Sequence, residues 1–371
     1  MQAVRQSFIQ YVLSEIARLF RSGLTGRVWS GFTGSFSKCV SSSTTYAFFT
    51  RDGLWQRRWR TSMLHRLIGL LLGLIPRGLT HICARRGKRE RCFTAYCLDA
   101  LADRRHIMIG LVFMLMLCIP YELWNNLYGA AGAAAVFVLY YFWAIPRRRA
   151  ELIDADALSP MYLVFLFCVA LGFFFSEHAG LSLRFVIFHL ACALTVLAVP
   201  GSAVNAKQLR TMLYIVLVGL LVSSLYGCWQ AITGVEYLAY QLDASINTGI
   251  TGRIYSFFSN PNNYCTFIVM LLPFALALFI SAESVRERVF CAVVLIITLI
   301  SCGATYSRSG WIGLIAAVVI FIIFTDWRYI PMLAALCLLA LPLLPETIIT
   351  RLTTIGNMKD SSSRNRMQIY A

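Results

Sequence analysis

The segment Gly252-Arg253-Ile254-Tyr255-Ser256-Phe257-Phe258-Ser259-Asn260-Pro261-Asn262-Asn263 is a short polar stretch between two long apolar segments. A second such stretch, Thr305-Tyr306-Ser307-Arg308-Ser309-Gly310-Trp311, also separates apolar segments and also contains one arginine. If the apolar segments cross a membrane, both stretches lie at an edge of the bilayer. We name them the first and second arginine segments, and the sequence predicts that the rest of the chain is a scaffold for them.

The composition excludes an ordinary soluble domain. Hydrophobic residues make up 58% of the chain and charged residues 13%, with a mean hydropathy of +0.68. Soluble domains contain about 25% charged residues. Only helices and closed barrels satisfy their backbone polar groups in lipid, so we predict an all-α polytopic membrane protein.

Apolar segments of spanning or near-spanning length recur after His106. A helix needs about 20 residues to cross the hydrocarbon core, and several of these segments are shorter. The sequence predicts about nine transmembrane helices, at residues 107–121, 128–145, 160–176, 183–200, 212–232, 262–280, 289–305, 310–326 and 330–345.

The basic residues predict the orientation of these helices. Cytoplasmic loops of membrane proteins are enriched in Lys and Arg. With a cytoplasmic N-terminus, the loops after the even-numbered segments face the cytoplasm, and they carry the basic residues Arg147–Arg149, Lys207, Arg210, Arg286, Arg288 and Arg328. The loops on the other side contain few basic residues before position 345. Both arginine segments are therefore predicted to lie on the extracytoplasmic face of a bacterial cell membrane.

The N-terminal region differs from the rest. Residues 1–105 hold 18 of the 33 Lys and Arg but only 5 of the 17 Asp and Glu. Such a basic region next to a membrane domain favours attraction to anionic lipid over nucleic-acid binding. Residues 7–24 have the spacing of an amphipathic interfacial helix, whereas Ile68–Ile75 is too short to span and is expected to end at Pro76. We predict a basic cytoplasmic or membrane-surface region at 1–105, a helical domain at 106–345 and the start of a large extracytoplasmic loop at 346–371.

The two arginines are candidates for binding a diphosphate. A guanidinium group is planar, always charged and suited to phosphate oxygens. The competing interpretation is that Arg253 and Arg308 are interfacial anchors that reach the headgroups. The neighbouring Asn260 and Ser307 are equally consistent with helix caps and with ligand contacts. The sequence contains no Walker motif and no HExxH motif, so no cofactor and no metal are expected.

The signatures F-x-N-P-N in the first arginine segment and S-R-x-x-W/L in the second, in this order, resemble the O-antigen ligase and polymerase superfamily. The resemblance covers residues 106–371. It implies a GT-C-like membrane glycosyltransferase whose donor is an undecaprenyl-diphosphate-linked glycan. Arg253 and Arg308 would hold the departing diphosphate, and Arg364 would assist. Asn260, Asn262 and Ser307 would be further substrate contacts.

One departure from the family pattern leaves other functions open. In the family, a histidine in the large outer loop acts as the base. Its counterpart would lie beyond Ala371 and His178 does not match its position, so we expect a C-terminally truncated sequence. The alternatives are a transporter or flippase of lipid-linked glycan, a cell-wall polymerase that depends on a carboxylate such as Glu177 or Asp243, and a non-catalytic membrane scaffold.

Overall fold

A computed structural model describes residues 54–85, 92–123, 126–147, 149–153, 155–235, 252–326, 330–340, 342 and 349. The chain divides into two compact units, Met1–Arg66 and Leu67–Ala371. The predicted helix at 7–24, the candidate Asp243 and the candidate contact Arg364 lie outside the described residues. The predicted domain limits at 105 and 345 remain predictions.

The described residues form helices and no strand, so the predicted all-α class is confirmed. Two helical insertions interrupt the pattern, a π-helical stretch at Leu139–Ala144 and a 3-10 turn at Ala155–Ala157. The α-helices are α1 (Leu54–Thr61), α2 (Met63–Arg85), α3 (Phe93–Asp103), α4 (Arg105–Cys118), α5 (Asn126–Val138), α6 (Pro160–Phe174), α7 (Ala179–Ser202), α8 (Ala206–Thr233), α9 (Pro261–Ile280), α10 (Val285–Ala304), α11 (Arg308–Asp326) and α12 (Ile330–Ala340).

Each of the nine predicted apolar segments coincides with one of the helices from α4 to α12. Of these, α7, α8, α9, α10 and α11 are long and apolar enough to cross a membrane. The apolar helices at Arg105–Cys118, Tyr128–Ala144 and Pro160–Phe174 are shorter. The described residues thus form a polytopic helical architecture. Within them, the four helices α4, α5, α6 and α12 are shorter than a full membrane span.

The prediction that Pro76 ends the apolar segment at Ile68–Ile75 is wrong. Helix α2 continues through Pro76 to Arg85, and its residues Met63–Ile82 qualify as a sixth candidate span. Proline removes one backbone N–H, but helices in membranes tolerate it because nearby groups satisfy the exposed carbonyls. The carbonyl that loses its donor here is that of Leu72, four residues before Pro76, and the hydroxyl of Tyr141 donates to it at 2.7 Å.

The second unit has two buried cores. The first contains residues of α4, α5, the π-helical stretch and α7, including Ile109, Val136 and Leu197. The second contains residues of α8, α9, α10 and α11, including Leu220 and Ile268.

Helices α4 and α8 meet along a seam lined with glycine. A Cβ atom on Gly219 would lie 3.0 Å from the Cα of Met114, and one on Gly110 would lie 3.2 Å from the carbonyl oxygen of Met212. A Cβ atom at either position would require the neighbouring backbone to shift, so glycine permits this close approach.

The ends of α8 identify two opposite edges of the helical bundle. Near its start, the Arg210 guanidinium donates to the Ser281 carbonyl at 2.9 Å and to Glu287 at 2.9 Å. Near its end, Gln230 contacts the first arginine segment. We call the end that holds both arginine segments the motif edge and the other end the basic edge.

Candidate functional site

The side chain of Arg253 joins the two arginine segments at the motif edge. Its Nε donates to the backbone carbonyl of Thr305 at 2.9 Å, and its Nη2 donates to Oδ1 of Asn262 at 2.9 Å. Only 8% of the residue is exposed. A guanidinium bonded along one edge in this way has a fixed orientation, so its charge has a defined position.

Asn262 links the first arginine segment to the second. Its Oδ1 accepts a hydrogen bond from the Ser307 hydroxyl at 2.8 Å in addition to the bond from Arg253. Ser307 is 2% exposed. Three of the predicted site residues, Arg253, Asn262 and Ser307, are therefore brought together in space, although 45 residues separate Asn262 from Ser307 along the chain.

Asn260 and Ser307 are both bonded at the start of a helix. Oδ1 of Asn260 accepts from the backbone N–H of Asn262 at 2.8 Å and caps α9, with Pro261 at the first helical position. Oγ of Ser307 accepts from the N–H of Gly310 at 3.3 Å at the start of α11. Both side chains therefore make the hydrogen bonds of a helix cap. Their contact with substrate remains a prediction.

Arg308 is the first residue of α11 and is half-buried. The turn before it is tightly bonded. The Thr305 hydroxyl donates to the Cys302 carbonyl at 2.7 Å, and Nε1 of Trp311 donates to the same carbonyl at 3.0 Å. Tyr306 has a φ of 49°, a left-handed conformation that is uncommon outside glycine. The surrounding bonds hold this strained turn and set the position of Arg308 relative to Arg253.

Gln230 of α8 holds the first arginine segment through hydrogen bonds to its backbone. The sequence did not indicate this role of Gln230. Its Oε1 accepts from the N–H groups of Tyr255 at 3.2 Å and Ser256 at 2.7 Å, and its Nε2 donates to the Ser256 carbonyl at 3.3 Å. Ser256 has a φ of 53°, and its hydroxyl donates to the carbonyl of Ser223 at 2.6 Å. The available signal was a glutamine within a membrane-length helix, because polar residues there are costly unless they have a partner.

We expect Gln230→Leu to destabilise the protein by about 2–4 kcal/mol, because it leaves buried backbone groups of Tyr255 and Ser256 without a partner. Thermal unfolding of the purified full chain measures this. Thr233→Val, at the exposed end of the same helix, removes only a hydroxyl bonded to the carbonyl of Trp229 and serves as the control. Equal unfolding temperatures for the two variants would contradict the supporting role of Gln230.

The described histidine and carboxylate candidates lie in α7 or just before it. Glu177 and His178 are exposed at the start of α7, where the backbone N–H of His178 donates to the Ser176 hydroxyl at 3.2 Å. His189, within α7, bonds the carbonyl of Phe185 at 2.8 Å and packs between aromatic rings. These contacts make His189 a packing residue of α7.

Comparison with known proteins bears on the second arginine segment. Residues 293–371, which include that segment, match the family model described as O-antigen ligase. No curated protein matches the sequence, and no solved structure matches it. The family match supports a membrane role in ligating or polymerising glycan and a glycosyltransferase-like enzyme class. It agrees with the resemblance to O-antigen ligases and polymerases that the motifs predicted, for the part of the chain that contains the second arginine segment.

Proposed function

We propose that the protein transfers or polymerises glycan from an undecaprenyl-diphosphate-linked donor on the extracytoplasmic face of a bacterial membrane. The observation that carries the proposal is the bonded cluster of Arg253, Asn262 and Ser307 next to Arg308 at one edge of the bundle. The O-antigen ligase match at residues 293–371 supports the same class of substrate.

Arg253 supplies a fixed positive charge in this mechanism. When the bond between the sugar and the diphosphate breaks, negative charge builds up on the departing diphosphate. A preorganised cation stabilises that charge without having to reorient during the reaction. The bonds from Nε to Thr305 and from Nη2 to Asn262 provide the preorganisation.

Arg308 is proposed as the second contact of the diphosphate. It is more exposed than Arg253 and begins α11, where the N-terminal end of the helix also favours an anion. The two arginines together provide the charge stabilisation, and Arg364 is proposed to add to it. The oxygen of an acceptor hydroxyl would then form the new bond to the sugar as its proton passes to a base, and undecaprenyl diphosphate would leave as the second product.

Arg308→Lys tests the proposal because lysine keeps the charge and loses the planar group. We expect the affinity of the purified full chain for undecaprenyl diphosphate to fall about tenfold. Glycan transfer in proteoliposomes should fall about 10²-fold. Arg184→Lys, on an exposed residue in the first turns of α7, is the matched control and should leave both values unchanged.

The outcomes separate the proposed function from the alternatives. Loss of binding and transfer in Arg308→Lys, with both unchanged in Arg184→Lys, supports a glycosyltransferase. A wild-type protein that moves the lipid-linked glycan between leaflets without transferring it would indicate a flippase. Unchanged binding and transfer in Arg308→Lys would remove Arg308 from the site.

A further inference from the structure

A cavity of about 910 Å³ opens at the basic edge, opposite the arginine segments. Its wall includes Arg77 of α2, Arg105 of α4 and Arg149, together with the acidic residues Asp103 and Glu151. Cavities of this size accommodate small molecules or the polar part of a larger one. The function proposed above makes no use of it.

Arg105 is the most deeply buried of the three arginines, with 5% of the residue exposed. Its Nε and Nη2 donate to the carbonyl oxygen of Gly201 at 3.2 and 3.1 Å, and its Nη1 donates to the carbonyl of Ala102. The guanidinium carbon also lies 5.4 Å from the ring centroid of Tyr140. These bonded acceptors are uncharged, so they fix the guanidinium without cancelling its charge. A buried cation of this kind favours an anion in the adjoining cavity.

Asp103 is already engaged by Arg149. Nη1 of Arg149 donates to Oδ2 of Asp103 at 2.6 Å, and Nη2 pairs with Asp99 at 3.1 Å. The hydrogen bond that Arg149 donates to Asp103 raises the pKa of Arg149. Asp103 and Asp99 are both bonded to Arg149, so Arg77 and Arg105 are two further cations of a wall whose other carboxylate is Glu151.

The cavity also has an apolar side. Ile145, Leu152 and Val204 line it, and Leu152 and Val204 continue into a neighbouring space of about 200 Å³ with Leu197 and Pro200. A ligand with an anionic group and an attached hydrocarbon chain matches this combination of surfaces.

We propose that this cavity binds the phosphate group of an anionic phospholipid, with Arg77 and Arg105 on the phosphate and the acyl chains towards Leu152 and Val204. Basic cavities between helices at a membrane edge are suited to such headgroups. The lipid would connect α2 to α4 and α7, because Arg77 lies on α2 and Arg105 bonds the Gly201 carbonyl of α7.

Thermal unfolding of the purified full chain in neutral detergent tests the site, with phosphatidylglycerol, phosphatidylcholine or inorganic phosphate added. We expect phosphatidylglycerol to raise the unfolding temperature. Arg77→Gln should weaken its apparent affinity about tenfold. Arg286→Gln is the matched control, because Arg286 is also an exposed arginine at the basic edge but does not line the cavity.

The proposal is supported if phosphatidylglycerol stabilises the wild type and Arg286→Gln but binds Arg77→Gln weakly. It is overturned if both variants bind the lipid equally, since the attraction would then be a diffuse effect of the basic edge. Equal stabilisation by phosphatidylcholine would overturn the preference for an anionic headgroup. Equal stabilisation by inorganic phosphate would show a site for a free anion instead of a lipid.

Discussion

Arg253→Lys is expected to lower glycan transfer by about 10²- to 10³-fold while the helical bundle stays folded. The ammonium group of lysine lacks the planar array of donors that lets arginine bond Thr305 and Asn262 along one edge. Leaving one of these acceptors without its donor costs about 1–3 kcal/mol. The positive charge is retained, so the loss of activity would report on the position of the charge.

Transfer in proteoliposomes and thermal unfolding should be measured together on the purified full chain. Arg184→Lys is again the control for a lysine introduced at an exposed arginine. Asn262→Ala is a second variant, because it removes the acceptor shared by Arg253 and Ser307 without changing any charge. Full transfer activity in both Arg253→Lys and Asn262→Ala would show that the bonded cluster is structural only.

Gly310→Ala is expected to destabilise the protein at the motif edge, because the added methyl group has no space. The new Cβ would overlap the sulfur of Cys265 and lie 2.9 Å from its Cβ. Cys265 is fully buried and its sulfur lies 3.4 Å from that of Cys302, so it has little space to move. Overpacking of a buried contact costs about 1–3 kcal/mol. Because Gly310 follows Arg308 in the first turn of α11, transfer activity should fall as well.

Two further variants isolate this contact. Gly313→Ala lies one turn later in α11, and its Cβ would meet Val269 at 3.7 Å, an ordinary distance; we expect the unfolding temperature to stay unchanged. Cys265→Ala removes the sulfur, so the double variant Cys265→Ala/Gly310→Ala should recover part of the stability. No recovery in the double variant would mean that Gly310 is needed for another reason.

The sequence was sufficient to predict the positions of the helices from α4 to α12 and of the two arginine segments between them. Apolar runs between polar segments located all of the helices from α4 to α12, because lipid leaves few alternatives to a helix. It failed at Pro76, where the usual cost of proline in a helix is reduced by the hydroxyl of Tyr141, which donates to the Leu72 carbonyl that Pro76 leaves without a donor. That compensation comes from a residue 69 positions away in the sequence and is not visible in hydropathy.

Sequence reasoning named Arg253, Asn262 and Ser307 but could not show that they bond to one another. Those bonds depend on the packing of α9 against α10 and α11, which sets the distance between the two arginine segments. Gln230 was missed because it lies within an apolar helix, 22 or more residues before the motif that it supports. A contact between distant segments is encoded in the tertiary fold, and local patterns do not reveal it.

The glycine seam between α4 and α8 has a mechanical consequence. Alternating-access transporters work by rocking one half of the molecule against the other. Here the first and second cores meet where the backbone of α4 lies against Gly219 and that of α8 lies against Gly110. Backbones packed at such distances leave little clearance for a hinge, so we expect the two halves to move as one body. A substrate would then reach the arginines by lateral entry from the surrounding lipid, and the bundle would not have to open.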